Sequence, residues 1–128
     1  MASKVEVDEL AGAGSAGVMT VVGEGGSTTT SLQQGLAKMW IQFNGTGTIS
    51  TQDSLNRGGL TDNGTGDYTV TYTNNMANDD YAVPLGMTAY SPSVTAVTTS
   101  TVRVGANNSS GSAADSAIVT IAVLGDLA

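Results

Sequence analysis

Carboxylates are the groups in this chain with which chemistry could be done. There is no His and no Cys, which removes the usual general base near neutral pH, Ser-His and Cys-His nucleophiles, and nearly every zinc site. Asp53, Asp62, Asp67, Asp79 and Asp80 are the candidates for a carboxylate pair that could cleave a sugar linkage. Most of them lie in or beside turn sequences, where Asp caps its own backbone. A glycosidase cleft also uses several aromatics, and aromatics make up only 5% of this chain. The reading is a non-enzymatic protein with no catalytic residues. Residues 62–67, DNGTGD, place oxygen ligands around a Gly in the outline of a calcium loop. They lack the downstream bidentate Glu, so a hairpin turn with Asp at its shoulders is the better reading. No metal or cofactor is assigned. Gly12, Gly14 and Gly17 match the dinucleotide fingerprint as text. The next residues are VMTVV instead of a helix, so the match reads as a linker.

The elements that would position these groups are strands. Met39, Ile41 and Phe43 alternate with Trp40, Gln42 and Asn44, and Tyr68, Val70 and Tyr72 alternate with threonines. This is the period of a strand with one buried face. Asn44-Gly45 and Asn63-Gly64 have the composition of tight hairpin turns, so residues 38–76 are expected to form a β-meander around the only Trp and the only Phe. Tyr81, Val83 and Leu85 alternate around Pro84, which implies an edge strand. Residues 93–104 are rich in Val and Thr, and residues 117–124, AIVTIAVL, are apolar on both faces. Residues 31–39 carry Leu32, Leu36 and Met39 at helical spacing and predict a turn or two of helix. The whole reads as an all-β protein, a small antiparallel sandwich or barrel over residues 38–128. It is preceded by an extended N-terminal arm over residues 1–37, with short strands at Val5 to Val7 and at residues 18–22.

Residues 40–49 (WIQFNGTGTI), 53–56 (DSLN) and 62–70 (DNGTGDYTV) together resemble a module of tail-fibre-like structural proteins of tailed bacteriophages, particularly marine ones. The resemblance covers about forty residues and departs at Arg57-Gly58-Gly59-Leu60. It implies a virion part assembled in the host cytoplasm, a homotrimer, and no catalytic residues to carry over.

Composition agrees with self-association. Large apolar side chains are few and there are no disulfides, so the missing burial is best supplied by copies of the same chain. The expected oligomer interface is Trp40 with Ile118, Val119, Ile121 and Val123. The expected attachment to other virion proteins is by strand addition through Val5, Val7, Val18 and Val21. Asn75, Asn78, Asp79, Asp80, Asn107 and Asn108 lie on the loops expected to contact a host glycan or protein. A net charge of −7 with four basic residues argues against binding nucleic acid. No apolar run reaches the roughly 18–20 residues that span a bilayer, so no membrane insertion is expected. The expected role is a tail-fibre-type component; the alternative is a capsid decoration or head-fibre protein fastened to the shell.

Overall fold

The computed structural model describes residues 4–11, 14 and 19–128. Its contacts divide the chain between Gly35 and Leu36 into two compact units.

In the first unit, β1 (Thr20–Val22) pairs antiparallel with β2 (Thr29–Ser31), Val21 opposite Thr30. Gly26 takes a left-handed φ of 74° in the connecting turn, as its lack of a Cβ allows. The helix expected over residues 31–39 is reduced to α1 (Leu32–Gly35). Gly35 and the strand-forming alternation that starts just beyond it stop the helix after one turn. The strand expected at Val5 to Val7 is not formed: residues 4–11 carry none, and Val5 and Val7 are 82% and 59% exposed. Of the strand expected over residues 18–22, the described part is β1, while Val18, Gly12 and Gly17 lie outside the described residues.

The second unit is an antiparallel β-sandwich. Its strands are β3 (Ala37–Asn44), β4 (Ser50–Leu55), β5 (Arg57–Gly64), β6 (Asp67–Tyr72), β7 (Leu85–Met87), β8 (Ser91–Val97), β9 (Thr101–Asn107) and β10 (Val119–Leu124). They form two four-stranded sheets in the orders β4-β3-β10-β7 and β5-β6-β9-β8. The core is made by alternate residues of the four central strands: Met39, Ile41 and Phe43 of β3 and Val119, Ile121 and Val123 of β10 face Tyr68, Val70 and Tyr72 of β6 and Val102 and Val104 of β9. Phe43 meets Tyr68 edge to face, with ring centroids 5.2 Å apart. β7, entered through Pro84, is an edge strand as its proline requires.

The expected meander is not what forms. β3–β4 and β5–β6 are both hairpins, but they belong to different sheets, and a single residue, Asn56, carries the chain across from one edge strand to the other. Asn56 is left-handed at φ 56°. Its side-chain amide donates to Lys38 O (3.0 Å) and Asn74 O (2.9 Å), and its Oδ1 accepts from Asn74 N at 2.7 Å. The two apolar faces of β3 and β6 therefore face each other across the core instead of lying side by side.

The turn chemistry also differs from the Asn-Gly reading. The left-handed residues are the second glycines of the two NGTG sequences, Gly47 (φ 63°) and Gly66 (φ 64°), together with Gly64. The asparagines serve through their side chains: Asn44 Oδ1 accepts from Thr46 N and Thr46 Oγ1, and Asn63 Nδ2 donates to Thr69 Oγ1 at 2.8 Å. Gly66 is close-packed as well, since a Cβ there would stand 2.5 Å from Ala106 O.

Register fixes the two ends of the sandwich. At one end lie the β3–β4 and β5–β6 turns and residues 108–116, tied together by Asp115, whose Oδ1 accepts from Gly66 N (2.7 Å) and from the Tyr68 hydroxyl (3.0 Å). At the other lie Asn56, the loop at residues 74–80, the Thr98–Ser100 turn and the C-terminus: Met76 N donates to Thr99 O, Ala77 N to Asp126 O, and Ala128 N to Asn75 O.

Candidate interaction surface on the Trp40 sheet face

The outer faces of the two sheets differ. On β5-β6-β9-β8 the outward row is polar, with Thr61 opposite Thr69 and Thr69 opposite Arg103. Arg103 grips Asp67 with both ends of its guanidinium fork, Nε donating to Oδ1 at 2.7 Å and Nη2 to Oδ2. That contact holds the Asp67 carboxyl below its ordinary value. This is the usual solvated face of an antiparallel sheet.

On β4-β3-β10-β7 the register sets Leu55, Trp40 and Ala122 in one cross-strand row, with Asp53, Gln42, Thr120 and Gly86 in the next. Leu55 is 48% exposed and Trp40 is half-buried. Pro84 extends the apolar row, its carbonyl accepting from Ala122 N at 2.9 Å. Between the Trp40 ring and Pro84 the small residues Ala122 and Gly86 leave an open trough of about 440 Å³. Thr120 closes its floor by donating to Gly86 O. The sequence alternation that sets Trp40 opposite the core residues thus has a structural counterpart in an apolar patch on a sheet face.

The rest of the expected interface is corrected. Val119, Ile121 and Val123 are 0–2% exposed within the chain's own core, so they have no surface to offer a neighbour. The outward residues of β10 are Thr120, Ala122 and Leu124; of the five residues assigned to an oligomer interface, Trp40 and Ile118 remain, Ile118 being 43% exposed. Val5, Val7 and Val21 of the arm are exposed.

The two sets of loop residues do not form one surface. Asn75, Asn78, Asp79 and Asp80 are exposed at the end that holds the C-terminus, whereas Asn107 and Asn108 are half-buried at the opposite end. Asn108 spends its Oδ1 inside its own loop on Ser110 N and Ser112 N.

Nor do the carboxylates converge. Asp53 points outward from β4 and accepts from Ser54 N, Asp62 accepts from Gly64 N, and Asp67 is held by Arg103. Asp79 and Asp80 lie at the other end of the sandwich. Among the described residues, no three acids are grouped to hold a metal ion. Two further polar residues shape the fold without having been singled out in the sequence, Asn56 and Asp115. An Asn between two strand patterns is the one local signal for the first; the second acts only through tertiary contacts.

No protein-family model, no curated protein and no solved structure matches this chain.

Proposed function

We propose that the protein is a non-enzymatic structural component of a tailed-phage virion, of tail-fibre type, working as a homotrimer. The observation that carries the self-association is the apolar row Leu55, Trp40, Ala122 and Pro84 on an otherwise solvated sandwich. A large aromatic ring on an outward sheet face is what an interface buries at its centre. The setting comes from the resemblance of residues 40–70 to the tail-fibre module. Residues 4–11 fit the attachment role: Val5 and Val7 are bare, alternate with Glu6 and Asp8, and are in no sheet of their own. Added as a strand to an edge in another virion protein, they would gain main-chain hydrogen bonds for affinity and Val side chains for register. The loops at the Asp115 end, opposite the end where Leu36 leads into β3, would then face a host glycan or protein.

Two measurements test the reading. Light scattering on the purified chain should give the mass of three copies, and Trp40→Glu should lower it to one; a chain of single-copy mass refutes the oligomer. Removing a central aromatic typically costs about 2 kcal/mol or more, which is a weakening of roughly 30-fold. Electron microscopy of intact particles locates the chain: density on the tail supports the fibre reading, while density on the shell replaces it with a decoration protein.

A further inference from the structure

The geometry points to the β1–β2 hairpin of a neighbouring copy as the occupant of the trough beside Trp40, so that the oligomer closes head to tail. This rests on the homo-oligomer reading above and names the two surfaces that meet.

The sandwich leaves faces rather than edges for association. β4 pairs with β3 across a bulge between Gln42 and Phe43, β5 carries two bulges, β7 is three residues long behind Pro84, and β8 contains Pro92 and a bulge between Val94 and Ala96. Each of these devices discourages edge-to-edge pairing. Of the two outer faces, that of β5-β6-β9-β8 is a threonine and Arg103–Asp67 surface, which leaves the Trp40 face.

Charge narrows what can cover it. Each copy carries a net −7, so copies repel unless the patches that touch are free of charge. Asp62, Asp67 and Asp115 sit at one end of the sandwich and Asp79, Asp80 and Asp126 at the other; the trough is lined by none of them, and Asp53 stands at its border. The occupant should be neutral and apolar. Residues 4–11 do not fit, because Glu6, Asp8 and Glu9 accompany their valines. The hairpin fits better: its strands, TVV and TTS, hold no charge, and its one acid, Glu24, lies in the turn beyond the paired residues.

The hairpin also needs a cover. Two strands alone are marginal in water, and Val21 and Val22 are 52% and 58% exposed although, as strand neighbours, they point to opposite faces. Neither face is therefore covered by the rest of its own unit. A hairpin laid between Trp40 and Pro84 buries one Val against the ring and small-residue floor. Because hairpin and trough are different surfaces, the contact is heterologous and repeats from copy to copy until the ring closes.

The chain has no Cys, so a cysteine pair reports the contact without background. In full-length Val21→Cys/Ala122→Cys, mild oxidation should give covalent species of two and three chains on a non-reducing gel, and neither single variant should. The proposal is overturned if Ala122→Cys alone forms covalent dimers, since two troughs then face each other. It is equally overturned if the double variant closes within one chain, or if it stays uncross-linked while the native mass is that of three copies. A native mass of one copy refutes the homo-oligomer reading itself, which separates the two failures. Trp40, the single tryptophan, gives a second readout: Val21→Asp/Val22→Asp should shift its emission to the red and reduce the mass to one chain while the circular dichroism of the sandwich is kept. Unchanged emission and mass would also overturn the proposal.

Discussion

Asn56 is the residue on which the sandwich closes, and substituting it separates a backbone cost from a hydrogen-bond cost. Its side chain makes three hydrogen bonds, to Lys38 O, Asn74 O and Asn74 N, and its φ is 56°. At about 0.5–1.5 kcal/mol net for each bond, with those to Asn74 toward the low end because they are exposed, the side chain contributes roughly 2 kcal/mol. Asn56→Gly removes the bonds but leaves the left-handed backbone free, so it should cost roughly that amount. Asn56→Ala removes the same bonds and adds about 1–2 kcal/mol for holding a Cβ in the left-handed region, for a total of roughly 3–4 kcal/mol. Urea unfolding at fixed protein concentration, followed by circular dichroism, reads both. With a slope of about 1–3 kcal/mol per molar, the Ala variant should lose roughly 1–4 M in midpoint and the Gly variant about half of that. If Gly is as costly as Ala, the backbone conformation is not what the position demands. If both are neutral, the crossover is not held by Asn56 at all.

Other expectations rest on the same contacts. The Tyr68 phenol is pushed up to about 12, first by burial and then by its hydrogen bond to Asp115. Its folded value lies above its unfolded one, so its share of stability is complete below about pH 10 and is lost as pH rises toward 12. Tyr68→Phe should therefore lower the neutral-pH stability by roughly 1–2 kcal/mol and flatten the alkaline limb of a stability–pH curve, leaving the part due to Tyr72 and Tyr81, whose phenols burial also raises. Gly66→Ala should cost more than any surface substitution, since a Cβ at φ 64° would meet Ala106 O at 2.5 Å; a thermal midpoint within a degree or two of the parent would contradict that. Arg103→Gln should return the Asp67 carboxyl toward its ordinary value in an NMR titration, with little change in the unfolding midpoint, because the pair is exposed. Ile121→Asp should abolish folding rather than merely dissociate copies, because Ile121 is 2% exposed in the core; a folded single-copy variant would show the residue to be at an interface after all.

How much of this could be read in the sequence depends on what kind of information each feature carries. Alternation reports which face a residue occupies, and for β3 and β6 that was sufficient: Met39, Ile41, Phe43, Tyr68, Val70 and Tyr72 are all core, and Trp40 faces outward. Alternation does not report which sheet a strand joins. The meander reading failed there, because the side chain of one Asn redirects the chain through carbonyls 18 residues away in sequence on either side. Residues 117–124 were misassigned for a related reason: a run apolar on both faces, interrupted only by Thr120, gives no clear parity by hydropathy alone. Side-chain bulk does not resolve it either, since each parity holds one Ala and Ile118 and Leu124 are as large as Ile121; the pairing of β10 with β3 is what sets Val119, Ile121 and Val123 inward. The trough beside Trp40 was out of reach, because Pro84 and Ala122 come together only through the β7–β10 edge.

The placement of the two ends bears on how such a sandwich could serve in a particle. Leu36 leads into β3 beside Asn56, and Ala128 donates to Asn75 O at that same end, so the sandwich receives the chain and releases it on one side. The opposite end presents residues 46–48, Thr65 and residues 109–112, all exposed and polar or glycine, braced from below by Asp115, Tyr68 and Gly45. A Cβ at Gly45 would fall 2.4 Å from the Tyr68 hydroxyl and 2.9 Å from Ser116 O, so the brace leaves no slack. Exposed tips on a rigid base tolerate sequence change without cost to the core, which is what a surface needs if it is to vary against a host. Replacing residues 109–112 by an unrelated polar tetrapeptide should therefore leave the unfolding free energy within about 0.5 kcal/mol of the parent and, under the proposed tail-fibre role, alter adsorption of particles that carry it. The same exchange at residues 77–80 should leave adsorption unchanged. A reversed pattern would turn the sandwich around and place residues 74–80 at the contacting end.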